Sequence, residues 1–169
     1  MYTDGSRIGD DTGLSVCILN NGKPQKTFQV KLEKNNTVLQ AELTAIDFNV
    51  CWSWENGVRI NIHTDSQSSI KALRSARLRS ETVNKIKKKF YLAKVSVGLT
   101  WVKAHAGDPG NGLADHHAEL ATAEGEKLEI PTPYSCVKFK IEKNLMKDWK
   151  EAWDGTLNQV GEPGLLCLR

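Results

Sequence analysis

Four acidic side chains have the type and spacing to do chemistry together: Asp4, Glu42, Asp65 and Asp115. Asp4 closes the short run Tyr2-Thr3 and is followed by Gly5-Ser6, a turn signal. Asp65 closes the run from Val58 to Thr64 and is followed by Ser66-Gln67. Each of these two aspartates therefore stands where a β-strand is expected to stop. Glu42 falls on a predicted helix, and Asp115 on another that follows a glycine-rich loop. Carboxylates brought together repel one another and are costly to desolvate. A hard divalent cation removes that cost, and Mg²⁺ is held by one or two carboxylates plus substrate phosphates. Two such ions ~3.5–4 Å apart can stabilise the attacking and leaving oxygens of a phosphodiester displacement. No Cys/His set has zinc-ligand spacing, so oxygen ligation is the better fit.

Histidines supply the second ingredient. His105 lies in a loop with Gly107, Pro109 and Gly110, between a predicted strand and the helix carrying Asp115. A histidine there can move protons or help release product, although read alone it is a solvent-exposed residue without a task. His63 reads as structural, and His116 and His117 as helix-face residues.

The elements that must position these groups are legible from periodicity. Tyr2–Asp4, Leu14–Leu19 and 26–32 read as three strands of an antiparallel meander, with Asn20-Asn21-Gly22 as the hairpin turn between the second and third. Thr37 with Gln40 matches a capping box, and Leu39, Leu43, Ile46 and Val50 form one face of the helix that follows. At 100° per residue Glu42 lies about 60° from the centre of that stripe, at the edge of the buried face. Gly57 ends the helix. Val58–Thr64 reads as a strand, 66–76 as a short helix, 80–94 as a longer one capped by Ser80, and 95–102 as a strand. Asn111 is expected to cap a helix reaching about Glu124. The order β-β-β-α-β-α-α-β-α implies an α/β fold with a mixed five-stranded sheet covered by helices.

Domain boundaries follow from composition. Residues 1–125 read as the site-bearing domain and 126–133, with Pro131-Thr132-Pro133, as a linker. Residues 134–154 read as a helix with a basic face (Lys138, Lys140, Lys143, Lys147, Lys150), and 155–169 as a disordered tail.

At 169 residues, 40% hydrophobic and 25% charged, the chain can bury a core without disulfides. No apolar run approaches the ~20 residues a bilayer span needs. The N-terminal residues, with Asp4, Arg7, Asp10 and Asp11, do not resemble a signal peptide. Cys17, Cys51, Cys136 and Cys167 are widely spaced, which fits a reduced, intracellular setting, cytoplasmic or nuclear. The net charge of +3 says little about partners. Its distribution says more: from Arg74 to Lys94 there are eight basic residues (Arg74, Arg77, Arg79, Lys85, Lys87, Lys88, Lys89, Lys94) and one acid, Glu81. By itself such a run is a solvated helix face.

Four runs together resemble the ribonuclease H family, most closely the ribonuclease H domain of non-LTR (LINE-type) retrotransposon polyproteins. They are Tyr2-Thr3-Asp4-Gly5-Ser6, Gln40-Ala41-Glu42-Leu43-Thr44-Ala45-Ile46, the stretch from His63 to Leu73 beginning His63-Thr64-Asp65-Ser66, and the stretch from Trp101 to Asp115. They stand in one register over residues 1 to 125. The resemblance implies a ribonuclease H-like fold and an endonuclease that cuts the RNA strand of an RNA/DNA hybrid. It implies two Mg²⁺ ions, replaceable by Mn²⁺, held by Asp4, Glu42, Asp65 and Asp115, with His105 assisting turnover. Glu42 would also stand beside the ribose 2′-hydroxyl, a group that distinguishes RNA from DNA. Gly5, Ser6, Asn36, Thr37 and Gln40 are implied substrate contacts. With such a fold, Lys85, Lys88 and Lys89 become a sequence-independent grip on the hybrid backbone. The implied setting is a monomeric unit, free of membrane, joined to or cut from a polyprotein with a reverse transcriptase.

Two departures from the resemblance fall in one loop. Ala104-His105-Ala106-Gly107 replaces a common Gly-His-Ser-Gly, and Gly110-Asn111-Gly112 a common Gly-Asn-Glu. They bear on loop geometry and turnover more than on metal binding. A competing expectation is a decayed copy that binds nucleic acid without cutting it. A strand-transferase of related fold is disfavoured, because the glutamate here comes second in the acid order. Only Met1, Tyr2 and Thr3 precede Asp4, which suggests a first strand too short to cover its neighbours, in a fragment of a longer polyprotein.

Overall fold

A computed structural model describes residues 1–76, 80–93 and 96–159, and only the backbone of 134, 135 and 155–159. The chain divides into two units, Met1–Pro131 and Thr132–Arg169.

The first unit is built on β1 (Tyr2–Ile8), β2 (Asp11–Asn20) and β3 (Lys23–Leu32), an antiparallel meander. Between β2 and β3, Asn21 and Gly22 take φ of 52° and 76°, the two positive values that a type I′ turn requires. Then come α1 (Val38–Asn56), β4 (Ile60–Thr64), α2 (Gln67–Arg74), α3 (Glu81–Leu92), β5 (Val97–Trp101), α4 (Pro109–Glu124) and β6 (Glu126–Leu128). The sheet order is β5-β4-β1-β2-β3-β6, with β4 parallel to β1, β5 parallel to β4 and β6 parallel to β3. The sheet has six strands rather than the five expected. The extra one, β6, lies within 126–133, where a linker was expected, and pairs the β3 edge from Val30 to Leu32.

Strand parity places α1 and α4 on opposite faces. Gly5 pairs with Leu14, and a Cβ at Gly5 would meet Ala41 and Glu42 of α1 at 3.0 Å. Ser6 pairs with Gly13, and a Cβ at Gly13 would lie 2.6 Å from the Ala118 carbonyl and the Thr122 nitrogen of α4. Under α1 lie two apolar clusters. One joins Leu14, Val16 and Leu32 to Ala41 and Ala45; the other joins Leu43, Ile46 and Val50 to Ile62, Val83 and Ile86. Each fully buried Leu, Ile or Val among them contributes roughly 1.5–3 kcal/mol. Against the other face, α4 offers Ala114, Ala118 and Ala121, all fully buried, so its backbone approaches β2 closely.

Thr37 caps α1 with the full capping box to Gln40, and Gly57 closes it in the left-handed conformation. Leu39, expected on the buried stripe, is 39% exposed, and Glu42, expected at its edge, is 4% exposed. The helix is rotated further toward the sheet than apolar spacing suggests, because small Gly5 and Ala41 allow contact there. On α3, Val83 and Ile86 are buried and Tyr91 is exposed. Arg77, Arg79 and Lys94 of the basic run, like Cys167, lie outside the described residues. Cys17, Cys51 and Cys136 are free thiols.

The second unit contains α5 (Tyr134–Gln159), which continues past the predicted end at 154 through the first residues expected as tail. Lys138 pairs with Glu142 and Lys147 with Glu151 one turn on, and Trp149 stacks on Trp153. Residues 160–169, the rest of the expected tail, lie outside the described residues. No helix among the described residues is long and apolar enough to cross a membrane.

Gly13→Ala should destabilise the fold by about 1–3 kcal/mol, because a methyl there meets α4 backbone that cannot move alone. Urea denaturation followed by far-UV circular dichroism measures it; an unchanged midpoint would show that α4 can shift outward freely.

Candidate active site

β1 does not end at Asp4. It runs on to Ile8, so Asp4 sits mid-strand and Gly5-Ser6 is strand rather than turn. The sequence suggests a stop because Gly and Ser are turn residues; here Gly5 is needed for the close approach of α1. Ahead of Asp4, β1 is tied to β4. The Met1 carbonyl accepts from the His63 N–H at 2.8 Å, and its ammonium donates to the Asn61 carbonyl at 2.8 Å.

β1 and β4 pair in register at Tyr2↔His63 and Thr3↔Thr64. One residue further on, Asp4 therefore stands beside Asp65, where β4 stops and β1 continues. Asp4 pairs with Ser15, whose hydroxyl donates to the Ala114 carbonyl, so Asp4 belongs to the α4 face. Glu42 comes from α1 on the other side and reaches the same gap over Gly5. Ligand oxygens of Asp4, Glu42 and Asp65 lie within 4.8 Å of one another. Asp115 is not in that group of three. It is half-buried on α4, 3.7 Å from His105 Nδ1, and close enough for its charge to act on Asp4.

Burial dominates the electrostatics of the group. It pushes the Asp4 carboxyl up from 3.8 to about 7, helped by the negative charges of Asp65 and Asp115. Burial also raises Glu42, followed by the charges of Asp4 and Asp65. The Gly5 N–H opposes both shifts by donating to the carboxylates. Without a cation the group therefore holds protons that free carboxylates would have lost. This donor set suits a divalent metal: hard oxygens, closely spaced, destabilised as anions and relieved by positive charge.

Side chains not singled out in the sequence support the acids. Thr64 Oγ1 donates to Glu42 Oε2 at 3.4 Å and accepts from the Ser66 N–H. Asn111 Nδ2 donates to Asp65 Oδ2 at 2.9 Å, and Trp101 Nε1 to the Asp65 carbonyl at 3.1 Å. The expected cap of α4 was Asn111; the cap is Asp108, whose Oδ1 accepts from the Gly110 and Asn111 N–H groups, with Pro109 at the first helical position. An aspartate followed by proline is the signal that could have found it. Asp108 Oδ2 also accepts from the Tyr2 hydroxyl. Tyr2 stacks on His63 at 4.6 Å and lies under Gly110, where a Cβ would sit 2.3 Å from the ring. Tyr2 and His63 thus seat the start of α4. Gly112 meets nothing within 4 Å, so its lost side chain leaves open space.

His105 is exposed, at φ 50°. Of the substrate expectations, Thr37 and Gln40 are engaged in the cap, and Gln40 also donates to the Pro131 carbonyl. Asn36 is fully buried and donates to the Glu33 carbonyl, so this conformation offers no side-chain contact to a ligand. Gly5 lies under α1, and Ser6 is half-buried on the α4 face. Lys88 is exposed, Lys85 pairs with Glu81, and Lys89 is drawn inward to Asp47 at 2.7 Å and the Cys51 sulfur.

The profile of the RNase H family matches residues 1–123, most of the chain. The chain belongs to the RNase H family. Solved structures agree on the fold. The prototype foamy virus protease–reverse transcriptase superposes with a TM-score of 0.61 at 18% identity over 73% of this chain. This chain spans only 20% of that viral one. RNase H1 of the archaeon Halobacterium salinarum gives a TM-score of 0.53 at 17% identity, covering 70% of this chain and 95% of its own. LC11-RNase H1, isolated from compost by a metagenomic approach, gives 0.58 at 16%, covering 72% and 92%. Comparison with curated protein sequences finds no match. Membership supports ribonuclease H activity, with divalent metal as the family's general cofactor.

Because Asp4 and Glu42 are raised in the fold above their unfolded values, their protonated forms add stability that is complete below the ordinary carboxylate range. For Asp4 that stability is lost as pH rises through about 7, and the raised Glu42 carboxyl acts in the same direction. In EDTA, the melting temperature of Asp4→Asn relative to the native chain should therefore rise as pH climbs from 3.8 to about 7. Mg²⁺ should restore the native chain's stability at the upper end. A pH-independent difference between the two melting curves would contradict electrostatic strain at Asp4.

Proposed function

We propose that this RNase H hydrolyses the RNA strand of RNA/DNA hybrids by two-metal-ion catalysis, as part of a retrotransposon reverse-transcription polyprotein. The observation that carries the proposal is the convergence of Asp4, Glu42 and Asp65 within 4.8 Å, with Asp115 and His105 beside them. Asp4, Glu42, Asp65 and Asp115 would hold Mg²⁺ or Mn²⁺. When bound, the metal supplies Lewis-acid stabilisation of charge on the reacting phosphate and an activated water.

The chain's own residues supply the rest. Burial of Asp4 and Glu42 makes their anionic forms depend on a cation. Glu42, reaching the gap from α1, would stand beside a ribose 2′-hydroxyl and so favour RNA. His105 lies 3.7 Å from Asp115 on an exposed loop, where its imidazole can take or give a proton to solvent. Lys88, together with Lys85 once released from its pairing with Glu81, would meet backbone phosphates in a salt-sensitive way. The retroelement setting rests on the motif resemblance, supported by a reverse transcriptase among the structural neighbours.

Cleavage of labelled RNA/DNA hybrid with Mg²⁺, Mn²⁺ or EDTA tests the proposal. The expected result is metal-dependent cutting of the RNA strand in hybrid and little cutting of single-stranded RNA. Equal cutting of both would remove the hybrid specificity. Asp65→Asn should lower the rate more than about 100-fold, beyond the 10–100-fold typical of losing a supporting residue, with the melting temperature retained. His105→Ala should lower turnover at least about 100-fold if it moves a proton in the rate-limiting step, leaving metal affinity unchanged.

A further inference from the structure

Asp65 is held at both ends by residues from other elements. Its carboxylate Oδ2 accepts from Asn111 Nδ2 of α4 at 2.9 Å. Its main-chain oxygen accepts from the Trp101 indole N–H, at the end of β5, at 3.1 Å. Asp65 otherwise lies just past the end of β4, where ladder hydrogen bonds no longer fix the backbone.

Asn111 has an unusual balance. It is 3% exposed, and its own carbonyl Oδ1 is buried without a hydrogen-bond partner. A buried, unpaired acceptor is destabilising, and an asparagine kept only for packing would be better replaced by an apolar residue of similar size. What the amide provides in return is one donor, aimed at Asp65. Asn111 is also placed by the Asp108 cap, which Tyr2 holds from β1. A chain of contacts therefore runs from the central strand through the start of α4 back to an acid of the site.

We propose that Asn111 and Trp101 are positioning residues that hold Asp65 in the orientation needed to bind a divalent cation. Asn111 sets the carboxylate through Oδ2, and Trp101 sets the height of the backbone beneath it. Losing either leaves the acid present but turning freely, so that ordering it opposes cation binding. Trp101 is 45% exposed, so its ring is not needed to fill the core. This inference rests on the metal-binding reading of the acidic group.

The test is Mn²⁺ affinity of the whole chain without nucleic acid, from the paramagnetic resonance signal of free Mn²⁺. The native chain, Asn111→Ala, Trp101→Phe and Asp65→Asn are compared, each with its melting curve in EDTA. Asn111→Ala should weaken Mn²⁺ binding about 10-fold or more. Trp101→Phe, which removes only the N–H, should weaken it less but in the same direction. Raising Mn²⁺ should restore hybrid cleavage by both, which a merely structural defect would not allow. Native-like affinity in a folded Asn111→Ala overturns the role of Asn111. If that variant does not fold, native-like affinity in Trp101→Phe overturns the proposal. A native chain with no Mn²⁺ binding that Asp65→Asn removes overturns the metal reading and this inference together. A signal that Asp65→Asn removes but the other two variants keep overturns the positioning role alone.

Discussion

The fold is organised around an electrostatic conflict. Three carboxylates stand within 4.8 Å of one another, two of them nearly fully buried, in a gap between two parallel strands. Left as anions they would repel and lack solvent, which is why Asp4 is pushed up to about 7 and Glu42 is raised as well. No arrangement built for stability alone places acids there. The surrounding parts make that placement possible. The antiparallel meander fixes β1 at the centre, α1 lies close over Gly5, and α4 lies close over Gly13 on the opposite face.

Glycines and alanines carry more of this design than the large apolar residues do. Gly5 lets Glu42 cross to the site, Gly110 leaves room for the Tyr2 ring, and Gly13 with the alanines of α4 brings that helix down onto β2. The apolar clusters under α1 supply much of the stability. The close approaches supply the geometry. A larger residue at Gly5 or Gly13 would therefore shift a helix without changing any acid.

Several misreadings of the sequence have physical reasons that cluster around the site. Gly5-Ser6 reads as a turn because glycine and serine favour turns, and propensity does not register a helix packed overhead. Leu39 fits the helical period yet is not buried, because contact over Gly5 rotates the buried face of α1. Asn111 reads as a cap although Asp108, followed by Pro109, makes a stronger one. β6 is too short and too polar to show any period, and it exists because the β3 edge pairs with it.

The acids Asp4, Glu42, Asp65 and Asp115 as a possible set, the meander, the capping box at Thr37 and the alternation of strands and helices were all legible in the order of residues. These depend on residue types and on periods of two or 3.6, which are local properties. Tertiary structure alone decided that three acids meet closely while Asp115 stands aside with His105. It also decided that Asn111 and Trp101 reach back to Asp65 across 46 and 36 residues of chain. The reason is that distances between elements arise from how closely helices settle on a sheet. That closeness depends on pairs of residues far apart in sequence, which no local period records.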